Sequence, residues 1–204
     1  MIGIPEFVVL AVTSIVAVME PPSTVAVYLT LTKDMNEEQH RRIIAKSMQI
    51  SFIVLLFFAF TGQLLFSIFN ITIASFRIAG GILLVTVAFR MLNPRKSEYS
   101  QEELEDIAIV PLAFPLTAAP GTITTVILLV SEADGLLQGS LVLVGIVTGI
   151  VVSYAGMKYA SKISGFIGGE GLRVITKLMA IIVLAIAVQF VISGITEAIP
   201  QILS

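Results

Sequence analysis

The 204-residue chain contains no cysteine, no tryptophan and one histidine, and only 13% of its residues are charged. The absence of cysteine excludes a disulfide scaffold, a thiolate metal site and a cysteine nucleophile. His40 lies in a charged stretch, so we expect it to be solvated, and we expect neither a metal site nor a cofactor. No pairing of serine with histidine, or of two aspartates, suggests a hydrolase, and we predict that the protein is not an enzyme. The formal charge of −2 gives no basic surface for nucleic acid.

Apolar sequence is abundant instead. Hydrophobic residues make up 56% of the chain, and the mean hydropathy is +1.00. Such a composition is typical of an integral membrane protein. The apolar runs reach the roughly 20 residues that a membrane-spanning helix needs, which a barrel of short alternating strands would not show. No basic segment precedes the first run, which is also too long for a signal peptide, so we expect it to be retained as a span.

The apolar runs predict an all-α membrane protein with six transmembrane helices. A sustained polar segment, residues 93–106, separates two halves, residues 1–92 and 107–204, and we interpret it as a linker on the cytoplasmic side. The predicted spans are residues 5–31, 43–69, 73–92, 107–130, 139–159 and 172–195.

Two proline motifs interrupt the first and fourth spans. The first is Glu-Pro-Pro-Ser-Thr at residues 20–24, and the second is Pro-Leu-Thr-Ala-Ala-Pro-Gly-Thr at residues 115–122. Proline removes a backbone donor and clashes with the preceding turn, so each motif should divide its span into two half-helices. Within a bilayer, such a break is tolerated only where it is buried in protein or lines a wet cavity.

The two motifs align as parts of an internal repeat. Residues 22–24 lie on residues 120–122 at a shift of 98 (120 − 22), and residues 76–82 lie on residues 172–178 at a shift of 96 (172 − 76). Two matches in similar register favour duplication. Because each copy has an odd number of spans, the second copy must be inverted in the membrane, and paired breaks in inverted repeats indicate a transporter's binding site.

The basic residues predict the orientation. Eleven of the twelve lie on the side of the loops after spans one, three and five, and only Arg77 lies on the other. The positive-inside rule places those loops in the cytoplasm and both termini outside. The eleven are Lys33, Arg41, Arg42, Lys46, Arg90, Arg95, Lys96, Lys158, Lys162, Arg173 and Lys177.

Each break should offer groups of both signs to a ligand. The second half-helices should begin near Pro21 or Pro22 and near Pro120. Their unpaired N–H groups, with the positive end of the helix dipole behind them, suit a carboxylate. Carbonyl groups released upstream suit an ammonium group, so a small zwitterion fits both ends. The alternative is a pair of ordinary kinks whose carbonyls bind serine and threonine hydroxyls. The predicted binding residues are Met19, Glu20, Pro21, Pro22, Ser23, Thr24, Thr117, Ala118, Ala119, Pro120, Gly121 and Thr122.

Glu20 is the one acid well inside a predicted span. A charged carboxylate at the bilayer centre costs at least ~2.5 kcal/mol, so we expect it to be protonated, paired or facing water. Burial favours its neutral form, which makes it a candidate for proton coupling. Alternatively, it caps the helix that begins at Pro21 or pairs with a basic residue from a neighbouring span.

Several segments together resemble one known family. Residues 110–122, 76–81, 89–92 and 187–194 are similar to the MarC family of six-span membrane proteins, which includes small neutral amino acid transporters of the SnatA type. The resemblance implies proton-coupled transport of glycine, alanine and similar amino acids, held at the breaks of spans one and four. The implied partners are therefore the amino acid, the proton and the lipid bilayer.

Other interpretations remain open at this point. A passive channel or ion-conducting pore would not accumulate substrate against a gradient, and a membrane scaffold or lipid-facing enzyme would not be stabilised by the ligand. Gly145, Gly149 and Ser153 form a stripe of small residues that suits either packing within one protomer or a contact in a homo-oligomer.

Overall fold

A computed structural model of the chain describes residues 3–32, 35–92 and 106–203. Its regular structure is entirely helical over these residues, which confirms the predicted fold class. The elements are α1 Ile4–Met19, α2 Pro21–Leu31, α3 Glu37–Ile68, α4 Ile73–Leu92, a π-helical segment Ala108–Thr117, α5 Pro120–Ser131 and α6 Gly135–Leu203.

Among the described residues, four helical segments are long and apolar enough to cross a membrane. They are Ile4–Leu31, which joins α1 and α2, Glu37–Ile68, Gly135–Ala160 and Lys177–Ile199. The π-helical segment and α5 form a fifth span if they are counted together across their 53° bend, and the apolar part of α4, Ile73–Phe89, is shorter. Six spans in two inverted repeats therefore remain a prediction. The predicted linker lies outside the described residues except for Asp106.

The long helix α6 supplies two membrane segments. Gly149 packs against Met19, and Phe190 lines a cavity together with Met19. In a straight helix, residues 149 and 190 would be about 60 Å apart, so the backbone must reverse between them. We call Gly135–Ala160 the first arm of α6 and Lys177–Ile199 the second arm.

Helix α3 begins with a reciprocal cap between Asn36 and Gln39. The Gln39 N–H donates to Asn36 Oδ1, and the Asn36 N–H donates to Gln39 Oε1, both at 2.9 Å. Because this cap starts the helix at Glu37, His40 is helical and half-buried. Its Nδ1 lies 2.6 Å from the Oη of Tyr28, a fully buried residue of α2. The expectation of a solvated loop histidine is therefore wrong.

Small residues bring α1 and the first arm of α6 into close contact. A Cβ placed on Gly145 would lie 2.9 Å from the carbonyl oxygen of Ala11, and Ser153 Oγ donates to Met19 Sδ at 3.4 Å. The stripe that includes these two residues thus packs within the protomer, one of its two predicted uses.

The remaining helices pack in a reciprocal pattern. Helix α3 lies against the second break, where Ser51 Oγ is 3.5 Å from the carbonyl oxygen of Ala113. Helix α4 lies against the second arm of α6, because a Cβ on Gly81 would be 2.7 Å from the Ala187 carbonyl oxygen. Predicted span two thus packs on span four, span five on span one, and spans three and six on each other.

Candidate functional site

The first break is a single residue between two helices. Glu20 ends α1 and precedes α2 with left-handed dihedral angles, φ 48° and ψ 61°. A residue with a Cβ is uncommon in this region, where the conformation costs roughly 1–2 kcal/mol. Such a strained residue is held in place by its surroundings and marks a candidate functional position.

Hydrogen bonds at the first break leave acceptors rather than donors free. The N–H groups of Ser23 and Thr24 both donate to the Glu20 carbonyl, at 3.0 and 3.3 Å. The expectation of unpaired N–H groups here is therefore wrong. Because prolines occupy positions 21 and 22, and Ser23 bonds elsewhere, the carbonyls of Val18 and Met19 have no helical donor four residues later. The Glu20 side chain does not cap α2, and its Oε2 accepts from Ser23 Oγ at 3.3 Å.

The second break is longer and irregular. The segment Ala108–Thr117 has non-helical dihedral angles at Val110 and Phe114, and each of these residues precedes a cis proline. Its last turn is closed by hydrogen bonds from Ala118 N–H to the Ala113 carbonyl and from Thr117 Oγ1 to the Leu112 carbonyl, both 2.8 Å long. Helix α5 then begins at Pro120, as the sequence predicts.

The start of α5 presents free donors. Its cap residue Ala119 has no polar side chain, and its carbonyl accepts from the Ile123 N–H at 2.9 Å. Among the described residues, no hydrogen bond joins the N–H of Gly121 or Thr122 to another group, although both residues are buried. The prediction of unpaired N–H groups is confirmed at this break.

Two threonine hydroxyls, one from each break, are buried without partners. Thr24 and Thr122, which align in the repeat, have relative exposures of 1% and 0%, and neither Oγ1 finds a hydrogen bond within the described part of the chain. By contrast, the buried hydroxyl of Thr30 donates to the Ala26 carbonyl at 2.9 Å. An unsatisfied buried polar group costs about 1–3 kcal/mol, so each hydroxyl would gain stability from a hydrogen bond to a ligand or a water molecule.

Residues of both breaks line one small cavity. The cavity has a volume of about 20 Å³, which is room for roughly one water molecule. Gly121 lies at its edge, because a Cβ there would be 2.9 Å from Val18 Cγ1 and 3.7 Å from Phe190 Cζ. The lining residues are Val18, Met19, Glu20, Ser23, Thr24, Leu84, Pro115, Leu116, Ala119, Val183, Ile186 and Phe190.

The cavity contains five of the twelve predicted binding residues, namely Met19, Glu20, Ser23, Thr24 and Ala119. Of the other seven, Pro21 is half-buried and Pro22 is exposed, whereas residues 117, 118 and 120–122 are buried around the second break. The apolar wall supplied by α4 and the second arm of α6 was not predicted. Among the residues of this wall, only Phe190 was marked in the sequence, since it lies in a segment that resembles the family.

Comparison with known proteins identifies the family. The model of the MarC family integral membrane proteins matches residues 5–199. The chain belongs to the MarC family. The UPF0056 membrane protein MJ1677 of Methanocaldococcus jannaschii is 32% identical, covering 95% of this chain and 98% of the relative. YvbG of Bacillus subtilis is 32% identical, covering 98% and 99%, and the inner membrane protein MarC of Escherichia coli is 33% identical, covering 88% and 89%. No solved structure matches the chain.

Proposed function

We propose that this MarC family protein is a secondary transporter of small neutral amino acids such as glycine and alanine. The observation that carries the proposal is that free acceptors of the first break and free donors of the second lie beside one cavity. Glu20 and the carbonyls of Val18 and Met19 supply acceptors, whereas Gly121 and Thr122 supply donors. An amino acid zwitterion has the same two polarities at its two ends.

The carboxylate of the substrate binds at the start of α5. Two free N–H groups and the positive end of the helix dipole favour an anion there, as at other helix N-termini. The unpartnered hydroxyl of Thr122 adds a third donor. Binding thus satisfies groups that the protein alone leaves unsatisfied, which favours the occupied site.

The ammonium group of the substrate binds at the first break. Glu20 is the one acid on the cavity lining, and its carboxylate is half-buried. The Thr24 hydroxyl, also unpartnered, is a further acceptor on the same lining. Because a carboxyl group can bind and release a proton, we assign proton coupling to Glu20.

Transport requires the cavity to change shape. Its present volume holds about one water, so it must widen to admit an amino acid and then open to either side. The reciprocal packing of predicted spans two on four and five on one supports two inverted repeats that rock about the site. We place the protein in the prokaryotic inner membrane with both termini outside, as the positive-inside rule predicts.

Uptake of radiolabelled glycine into proteoliposomes tests this function. With an inward pH gradient imposed, we expect glycine to accumulate above its equilibrium level, and the accumulation to collapse when an ionophore removes the gradient. A passive pore would reach equilibrium only. Absence of uptake by protein that is folded and inserted, with neither glycine nor alanine raising its melting temperature, would refute the proposal.

A further inference from the structure

We propose that Phe190, with Val18, limits the size of the side chain that the protein can transport. The inference rests on the proposed function, because it assumes that an amino acid carboxylate binds at Gly121 and Thr122. It adds the residues that select among amino acids, and it assigns them to α1 and to the second arm of α6.

Both side chains lie close to Gly121, one of the two residues with free N–H groups. A Cβ on Gly121 would approach Val18 Cγ1 to 2.9 Å and Phe190 Cζ to 3.7 Å. A carboxylate bound to the N–H groups of α5 therefore has its α-carbon close to both side chains. Any substituent on that carbon must occupy the space between the isopropyl group and the edge of the ring.

The wall behind these two residues is apolar and closely packed. Leu84 and Val183 are 1% exposed and belong to the packed core, and Ile186 is the third residue of this wall. Core side chains of this kind do not move aside without cost, because protein interiors are close-packed. These three residues present no polar group to the cavity. A substrate with a charged or strongly polar side chain would therefore lose its hydration without gaining a hydrogen-bond partner.

Phe190 is the residue on which the limit can be tested. The sensitive measurement is the ratio of valine to glycine uptake in proteoliposomes, since a general loss of activity lowers both rates. We expect Phe190→Leu and Val18→Ala each to raise this ratio at least about tenfold, the discrimination that one or two methylene groups provide. Phe190→Trp should act in the opposite direction and lower alanine uptake relative to glycine uptake.

Phe76→Leu is the matched control. Phe76 packs against Phe66 with ring centroids 5.3 Å apart and does not line the cavity. Its truncation removes the same atoms from the core and should leave the valine-to-glycine ratio unchanged.

The results separate the size limit from transport itself. If the wild type takes up glycine but the Phe190 and Val18 variants keep its valine-to-glycine ratio, the size limit is wrong and the transporter assignment stands. If Phe76→Leu changes the ratio as much as Phe190→Leu, the effect is a general loosening and the size limit is also wrong. If the wild type transports and binds neither glycine nor alanine, both proposals fail.

Discussion

The two breaks of this protein have related sequences but differ in their free hydrogen-bond donors. In the repeat alignment, Ser23 and Thr24 correspond to Gly121 and Thr122, yet the N–H groups of the first pair are bonded and those of the second pair are free. The difference comes from Pro21, which aligns with Ala119. Proline at the first helical position begins α2 one residue earlier, at Pro21, whereas α5 begins at Pro120.

That shift of one residue changes which residue carries the N–H group at the fourth helical position. Ser23 and Thr24 become the third and fourth residues of α2, from which both N–H groups reach the carbonyl of the cap residue Glu20. Gly121 and Thr122 are the second and third residues of α5, and the Ala119 carbonyl accepts from the fourth residue, Ile123. In α2 the third residue, Ser23, bonds to the cap carbonyl as well, which Thr122 does not. The first break thus offers acceptors, whereas the second also offers free N–H donors, a pairing that two identical breaks would not give.

The largest effect should come from blocking the free N–H groups at the start of α5. Gly121→Val places a branched side chain where even a Cβ would be 2.9 Å from Val18 Cγ1. We expect glycine uptake to fall more than about a hundredfold, while the melting temperature and elution volume show folded protein. Gly139→Val is the control, because the nearest atom to its Cβ is 4.0 Å away. Unchanged glycine affinity in Gly121→Val would place the site elsewhere.

Removing the acid of the first break should abolish accumulation. A gradient of one pH unit corresponds to 1.36 kcal/mol and supports about tenfold accumulation when one proton accompanies each substrate. We expect Glu20→Gln to reduce the accumulation ratio to about one, while exchange of labelled for unlabelled glycine continues. Glu132→Gln, at an exposed position after α5, should behave as the wild type. Full dependence on the gradient in Glu20→Gln would remove Glu20 from the coupling mechanism.

Threonine substitutions compare the two breaks directly. Because the hydroxyls of Thr24 and Thr122 are buried without partners, replacing either by valine should raise the melting temperature of the ligand-free protein. Glycine affinity should fall at the same time, by about tenfold in Thr122→Val and by less in Thr24→Val, where other acceptors remain.

Thr30→Val is the control for this pair of substitutions, because its hydroxyl already donates to the Ala26 carbonyl. It should lower stability and leave glycine affinity unchanged. A loss of stability in Thr122→Val would mean that its hydroxyl has a partner in the protein.

The smallest effect should come from a substitution in α4, at its contact with the first residue of α5. A Cβ on Gly80 of α4 would overlap the ring of Pro120, so Gly80→Ala must displace the first residue of α5. We expect the Michaelis constant for glycine to rise about threefold to tenfold, since the donors of α5 move slightly from their productive positions. Gly156→Ala, whose Cβ would meet only a methyl group of Val25, is the control. Equal effects from both substitutions would contradict a specific role for the Gly80 contact.

Sequence patterns predicted the helices better than the hydrogen bonds at their ends. Proline spacing and apolar length place the starts of α2 and α5 correctly, because these features act locally. Whether an N–H group is free depends on dihedral angles, such as the left-handed conformation of Glu20, which no pattern specified. The apolar wall of the cavity depends on contacts between distant helices, and His40 was misplaced because a charged segment suggested a loop.

The close packing of the glycines has a mechanical consequence. With Gly145 against the Ala11 carbonyl, and Gly81 and Gly194 against the carbonyls of Ala187 and Ala74, two helix pairs meet almost backbone to backbone. Helices in such contact cannot rotate or slide past each other without steric overlap. Each helix pair therefore moves as one rigid body. The hinge of any rocking motion lies between the two pairs.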